Sequence, residues 1–456
     1  SSDTETMLSE NQTTCDNIIG DANYDLGHVF GVGGGGVVAL GPNPCQSGIK
    51  ALGVTTWPGI LGDIFNRIAA HEFGHQWGSP HVWNGTTGNC TPGQHGGAAA
   101  VEPGSGSSLL SYAGLCGSQN LQGQQDDYYN SETIRRMTQF TQIGVGNTCA
   151  QIVNTGNTPP LSDAGIGGWQ IPISTPFIID GFGSDPDGDA ITFNWEQMDT
   201  GPQGHPNSPV GSAPIFRSYP AVEVSERYLP NLISVVNNTT VLGETYPTYT
   251  RDLEFRLTIR DNRAGGGGVT SDQMTLNVHE EAGPFLVTNP NTAQDWTIGE
   301  TYNVIWDVAN TNQLPINCFF VNIKLSTDGG FVYDHDLSTF TSNDGNEMVT
   351  IPEGTESDFC RIMVECSNNI FYDISNTWFT ISGNVGVEEI LEAGIKIYPN
   401  PANDVLNIIA PTEADQQIDM IIMNSLGQMV RQFSDVSTGE QYNHTFDLND
   451  LSAGIY

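Results

Sequence analysis

The sequence predicts a multidomain protein in which an α+β domain at the N-terminal end is followed by all-β sandwiches. Two observations predict this class and a third sets its scale. Apolar residues recur at helical spacing in residues 62–77 and 131–142, both in the first third of the chain. From about residue 161 the signal changes to short period-2 runs separated by Gly, Pro, Asn and Asp, the pattern of half-buried strands. A length of 456 residues leaves room for about three domains, each with a substantial core.

Charge removes some classes of partner. Fifty-two acidic against fourteen basic residues give a formal charge of −38. Nucleic acid and anionic membrane surfaces both call for positive charge, so neither is an expected partner. The acidity is spread along the chain, which reads as solubility outside the cell. No run of about eighteen apolar residues suggests a membrane span. Residue 1 shows no initiator Met, charged n-region or cleavage site, so the chain is expected to be truncated at its N-terminus.

The first domain is expected over residues 1–151. Four glycines, Gly33, Gly34, Gly35 and Gly36, precede Val37, Val38, Ala39 and Leu40, which read as a strand. The glycines lack the Lys and Ser/Thr of a phosphate-binding loop. The first helix places Ile64, Phe65, Ile68, Ala69 and Phe73 at helical spacing, with Asp63 set to cap or charge its first turn. The second helix should start with Ser131 as N-cap, bury Ile134, Met137 and Phe140, and close the domain.

The end of the first helix carries the chemistry. His71-Glu72-Phe73-Gly74-His75-Gln76-Trp77-Gly78-Ser79-Pro80-His81 reads H-E-x-x-H-x-x-G-x-x-H. One helical turn separates His71 from His75, so both imidazoles can reach one ion at roughly 2.0–2.1 Å. Gly78 can take the positive φ that reverses the chain and returns His81 as third ligand. Three ligands leave a position open for water, which is the arrangement of a catalytic zinc. Glu72, beside the ligands, can then take a proton from water that the metal has acidified.

This pattern resembles the metzincin clan of zinc endopeptidases, and the neighbouring residues are most similar to its reprolysin-type, adamalysin-like members. Ile19-Gly20-Asp21-Ala22-Asn23-Tyr24-Asp25-Leu26-Gly27-His28-Val29-Phe30, followed by the glycines, resembles the strand that leads into the family's substrate-binding edge strand. Leu109-Leu110-Ser111-Tyr112-Ala113-Gly114 falls where the clan has its Met-turn. Leu110 stands in place of the methionine, an apolar swap that usually costs under about 1.5 kcal/mol. The resemblance implies that Tyr112 approaches the zinc or the transition state; a buried core tyrosine is the alternative. It also implies protein or peptide substrates lying along the strand at Val37, and further strands and a helix ahead of residue 17.

Eight cysteines stand at positions 15, 45, 90, 116, 149, 318, 360 and 366, with no C-x-x-C pair. Disulfides in an oxidising compartment are favoured over a zinc ribbon. Five lie in the first domain and three beyond it, and both counts are odd. The reprolysin resemblance implies the pairs Cys45–Cys149 and Cys90–Cys116.

After a linker at residues 154–160, Phe177-Ile178-Ile179, Ile191 to Trp195, Leu253 to Ile259 and Gln273 to Val278 read as strands of a sandwich over 157–281. Its Asp185-Pro186-Asp187-Gly188-Asp189 stretch resembles the turn of cadherin-like and PKD-type modules, whose carboxylates could hold calcium. The same residues also make an ordinary solvated turn. A second, immunoglobulin-like sandwich is expected over 284–383, with Trp306 in its core. The last part, 387–456, carries Tyr398-Pro399-Asn400-Pro401, Asn424-Ser425-Leu426-Gly427-Gln428 and Leu451-Ser452-Ala453-Gly454-Ile455-Tyr456. Together these resemble the C-terminal sorting domain of the type IX secretion pathway, cut short at its end. They imply a secreted or cell-surface bacterial protein that meets the secretion machinery. The sequence therefore predicts a secreted zinc endopeptidase with Glu72 as general base; the alternative is an extracellular binding or adhesion protein on an inactive peptidase scaffold.

Overall fold

The computed structural model describes residues 3–38, 41–59, 62–383, 394–399, 401–423, 428–449 and 451. The predicted strand residues 39–40, and 400, 424–427 and 452–456 of the C-terminal motifs, lie outside the described residues. Residues 1–296 and 300–381 make up one compact unit, and 297–299 with 382–456 make up another.

The chain opens with α1 (Thr4–Thr14), capped by Asp3, whose carboxylate accepts from Thr6 N at 3.1 Å. The apolar pattern does not mark this helix, because Met7 and Leu8 give the segment no apolar stripe; a helix ahead of residue 17 is implied only by the resemblance. Residues 19–30 are also less extended than predicted. A wide turn (Cys15–Ile19) and a 3-10 turn (Asp21–Asn23) surround Gly20 at φ 86, and only β1 (Val29–Gly31) is strand. A three-stranded sheet follows, in the order β1-β3-β2, with β2 (Gly35–Val38) antiparallel and β1 parallel to β3 (Gly53–Thr56).

Helix α2 (Asp63–Gln76) packs on this sheet. Gly62 is its N-cap and Asp63 lies within the first turn, where its charge meets the helix dipole. The helix ends at Trp77, and Gly78 takes φ 96. In α3 (Ser131–Gln142) the N-cap is Asn130, one residue earlier than predicted, its Oδ1 accepting from Thr133 N at 2.9 Å. Phe140 is buried and Ile134 and Met137 are half-buried; Glu132 is buried as well, because this helix faces a second layer.

That layer is the first sandwich. Its strands are β4 (Leu161–Asp163), β5 (Trp169–Pro172), β6 (Phe177–Ile179), β7 (Phe182–Ser184), β8 (Thr192–Gln197), β9 (Arg227–Leu229), β10 (Arg251–Arg260) and β11 (Val269–His279), with a short helix α4 (Leu232–Val236). The main sheet runs β5-β11-β10-β8, and the pairs β4-β7 and β6-β9 stand apart from it. On β10, Leu253, Phe255, Leu257 and Ile259 are fully buried in the sandwich core. The opposite face of the same strand is buried too at Arg256 and Thr258, which breaks the inside–outside alternation. Arg256 Nη1 donates to Ser131 Oγ at 3.1 Å and lies 3.4 Å from a Glu132 carboxylate oxygen, and Arg260 Nη2 donates to Tyr129 O at 3.2 Å.

The second sandwich has strands β12 (Leu286–Asn289), β13 (Asp295–Thr297), β14 (Thr301–Asp307), β15 (Phe320–Ser326), β16 (His335–Ser342), β17 (Asn346–Thr350), β18 (Ser357–Cys366), β19 (Tyr372–Ile374) and β20 (Phe379–Ser382). Sheet β12-β14-β17 stands beside β13-β20-β18-β15-β16, with β19 paired to β18. Trp306 is core, its Nε1 donating to Asn343 Oδ1 at 2.7 Å, as expected of a buried indole. The two sandwiches share a seam: Ile178 N donates to Ile370 O at 2.9 Å, and Val235 and Val236 are buried with Met363, Tyr372 and Ile374. In the second unit, β21 (Lys396–Tyr398), β22 (Val405–Pro411) and β25 (Gln441–Asp447) form one sheet, and β23 (Gln417–Met423) with β24 (Met429–Val436) another.

Three disulfides are formed. Cys45–Cys149 and Cys90–Cys116 are the pairs the resemblance implied, and Cys318–Cys366 is a third; Cys15 and Cys360 are thiols.

Candidate active site

Helix α2 presents His71 and His75 one turn apart, and the reversal at Gly78 returns His81 to the same point. His75 Nε2 lies 3.0 Å from His71 Nε2 and 3.1 Å from His81 Nε2. The far nitrogen of each ring is fixed by a backbone carbonyl: His71 Nδ1 donates to Leu109 O at 2.7 Å, His75 Nδ1 to Ser79 O at 2.8 Å and His81 Nδ1 to Gln94 O at 2.7 Å. With the proton held on Nδ1, each Nε2 presents a lone pair, and three lone pairs meet within a few ångströms.

Protonation would not relieve that convergence. Burial, and then the neighbouring His75 and His81 charges, hold His71 well below the ordinary imidazole range; burial lowers His75, and burial with the His75 charge takes His81 down to about 3. Neutral acceptors crowded together with carbonyl-fixed tautomers are a donor set for a cation. Zn–N bonds of about 2.05 Å at a tetrahedral angle separate ligand nitrogens by about 3.3 Å, close to the spacing seen here, so these residues fit a zinc ion.

Glu72 sits on the next face of α2, buried against β2. Its proximity depends on Gly36: a Cβ there would stand 2.4 Å from Glu72 Cγ. Burial pushes the Glu72 carboxyl up to about 8. Leu110 is fully buried beneath α2, with its methyl groups against the position a Gly74 Cβ would occupy, so the residue in the methionine's place fills the floor under the histidines. The turn that carries Leu109 and Leu110 is held from inside. Buried Glu102 accepts from Ser107 N at 2.9 Å, and burial raises its own carboxyl to about 7.

Tyr112 shows parts of both expectations. Its ring packs against Trp83 at 5.2 Å, and it also covers His81 at 4.4 Å and His71 at 6.0 Å. Its hydroxyl lies 3.5 Å from Gln94 Oε1. Burial, then the charge of Glu72, pushes that hydroxyl up to about 12.

Residues 1–143 match the model of metallo-peptidase family M12B, reprolysin-like. This stretch is a reprolysin-like metallopeptidase region. Residues 396–456 match the secretion system C-terminal sorting domain, so the peptidase region belongs to a secreted or surface-carried bacterial protein. No helix among the described residues is long and apolar enough to cross a membrane. No curated protein sequence matches the chain. Among solved structures it is similar to the N-terminal Ig1-2 module of the Drosophila receptor protein tyrosine phosphatase DLAR (11% identity over 50% of this chain and 100% of that chain, TM-score 0.26). It is also similar to the fibronectin(III)-like modules of Clostridium thermocellum CbhA (7% identity, 49% and 94%, TM-score 0.18). The sandwich architecture rests on the strand pairing described above.

The structure also gathers Asp185, Asp187 and Asp189, whose ligand oxygens lie within 4.8 Å of one another. Asp185 Oδ1 accepts from Asp187 N and Asp189 N at 2.8 and 3.0 Å, while Arg263 Nη1 stands 3.5 Å from Asp187 and 3.8 Å from Asp189. The residues around the peptidase site that sequence reading missed are Leu109, Ser79 and Gln94, which act through main-chain carbonyls and so carry no side-chain signature. Gly36 belongs to the glycine run the sequence shows, but its contact with Glu72 comes from an element distant in sequence.

Proposed function

We propose that the chain is a secreted zinc endopeptidase with a peptidase domain to about residue 151, sandwiches over 157–281 and 284–383, and a sorting domain over 387–456. The observation that carries the reading is the convergence of three carbonyl-oriented Nε2 atoms, from His71, His75 and His81, beside a buried carboxylate. Zinc bound there supplies a Lewis acid for the scissile carbonyl and acidifies water. Glu72 is the general base. Beside the three imidazoles, its carboxylate would take a proton from the attacking water and pass it to the leaving amine. Tyr112, kept protonated and lying over two imidazoles, donates to the developing oxyanion.

Substrate lies along β2. Among the described residues this strand pairs with β3 on one side only, and an extended peptide can add to its outer edge. Calcium has weaker support than zinc, because Arg263 and two main-chain N–H groups already answer the charge of the Asp185–Asp189 turn. The test is hydrolysis of an unfolded protein such as casein by the full chain. Cleavage should vanish on chelation and return with zinc, while a zinc-loaded chain that cuts no peptide library would favour the binding-protein reading.

Gly36 gives a finer check. A methyl group at residue 36 must displace the Glu72 carboxylate or β2 itself. Gly36→Ala is expected to lower kcat by up to about 10²-fold, the scale of an ångström-sized misplacement, with zinc content unchanged. Unaltered kcat would remove the strand from the account of how Glu72 is aimed.

A further inference from the structure

The first sandwich reaches the metal centre through a chain of hydrogen bonds that is buried except at half-buried Tyr128. Ser218, in the loop between β8 and β9, accepts from Tyr128 Oη at 2.6 Å and donates to the Glu196 carboxylate of β8. Tyr128 O accepts from Leu109 N at 3.0 Å, and Leu109 O is the acceptor that fixes His71 Nδ1 at 2.7 Å. Two further bonds brace the same seam. Ser107 Oγ donates to Ser218 O at 2.8 Å across 111 positions of sequence, and the second Glu196 oxygen accepts from Ser131 N at 2.7 Å. Ser107, Ser218 and Glu196 are all at most 3% exposed, so water does not substitute for a lost partner.

We propose that Ser218 and Glu196 of the first sandwich are positioning residues for the metal centre: they hold the Leu109 carbonyl where it orients His71, and the sandwich thereby sets the affinity of the site for zinc. This rests on the zinc reading given above. A fully satisfied buried network holds one geometry, and a half-satisfied one lets its members drift. Partners one shell out from a ligand typically contribute about 10–100-fold in metal affinity. Ser218 acts two steps further away, so the lower end, about tenfold, is expected.

The experiment measures zinc dissociation constants by chelator competition on the full chain, together with the Tm of the metal-free protein. Ser218→Ala should weaken zinc binding about tenfold, and Tyr128→Phe, which removes one oxygen and keeps the ring, severalfold. Asn369→Ala serves as control: it deletes a bond between the two sandwiches (Nδ2 to Gln170 O, 2.8 Å) that lies outside the network. It should lower Tm and leave zinc affinity alone. Where Ser218→Ala yields no folded protein, Tyr128→Phe decides. Zinc affinities within twofold of wild type for the network variants, or an equal loss in Asn369→Ala, overturn the proposal. A wild-type chain that binds no zinc strikes at the peptidase reading instead.

Discussion

Glu72→Gln is expected to abolish peptide hydrolysis while the chain keeps its zinc. The amide has nearly the shape of the carboxylate, so the close approach to Gly36 is preserved. The three imidazoles are held by the carbonyls of Leu109, Ser79 and Gln94, none of which Glu72 touches. What changes is proton chemistry, because a glutamine amide does not accept a proton near neutral pH. Losing a general base costs about 10²–10⁴-fold in rate, and here the same group also returns the proton to the amine, which places the effect at the upper end. Casein cleavage and bound-metal analysis on the same preparation give the answer. Activity equal to wild type would refute Glu72 as the base, and loss of zinc together with activity would show it to be part of the metal's support.

The second large effect concerns His81. In the wild type, free zinc at about 1,000 times its dissociation constant should stabilise the chain by about 4 kcal/mol, a shift of several degrees in Tm. His81→Ala removes one of three convergent donors and leaves Gln94 O without its imidazole partner. Two histidines one turn apart remain, and the zinc-dependent rise in Tm should fall to near zero in the same concentration range. Thermal melts with and without zinc check this; a variant that keeps the full rise would mean that the metal sits elsewhere.

The two outcomes bear on different parts of what was legible in the sequence. The convergence of His71, His75 and His81 was readable because its geometry is local: a helical turn, a positive-φ glycine and a return. The strands of both sandwiches were readable because burial on one face imposes a period of two. Where burial comes from a distant element, the pattern misleads. Arg256 and Arg260 alternate with core residues on β10 and read as a solvent face, yet they bond to Ser131 and Tyr129. Glu132 likewise occupies the polar side of α3 and is buried. Helix α1, implied only by the resemblance, leaves no pattern of its own for the opposite reason: it has a cap at Asp3 and no apolar stripe. Tyr112 shows the limit of assigning one role to one residue, because its ring lies between Trp83 and the histidines and can serve packing and chemistry together.

The same seam bears on how the molecule comes apart. Residues 151–158 lack regular structure and, apart from half-buried Asn157, are exposed, which makes them a natural place for a protease to cut. The disulfides lie on one side or the other of that segment, so its peptide backbone is the only covalent tie between the two parts. The buried bonds of Arg256, Glu196 and Ser218 do not depend on it. A nicked molecule would therefore migrate as two fragments in a denaturing gel and elute as one particle from a sizing column.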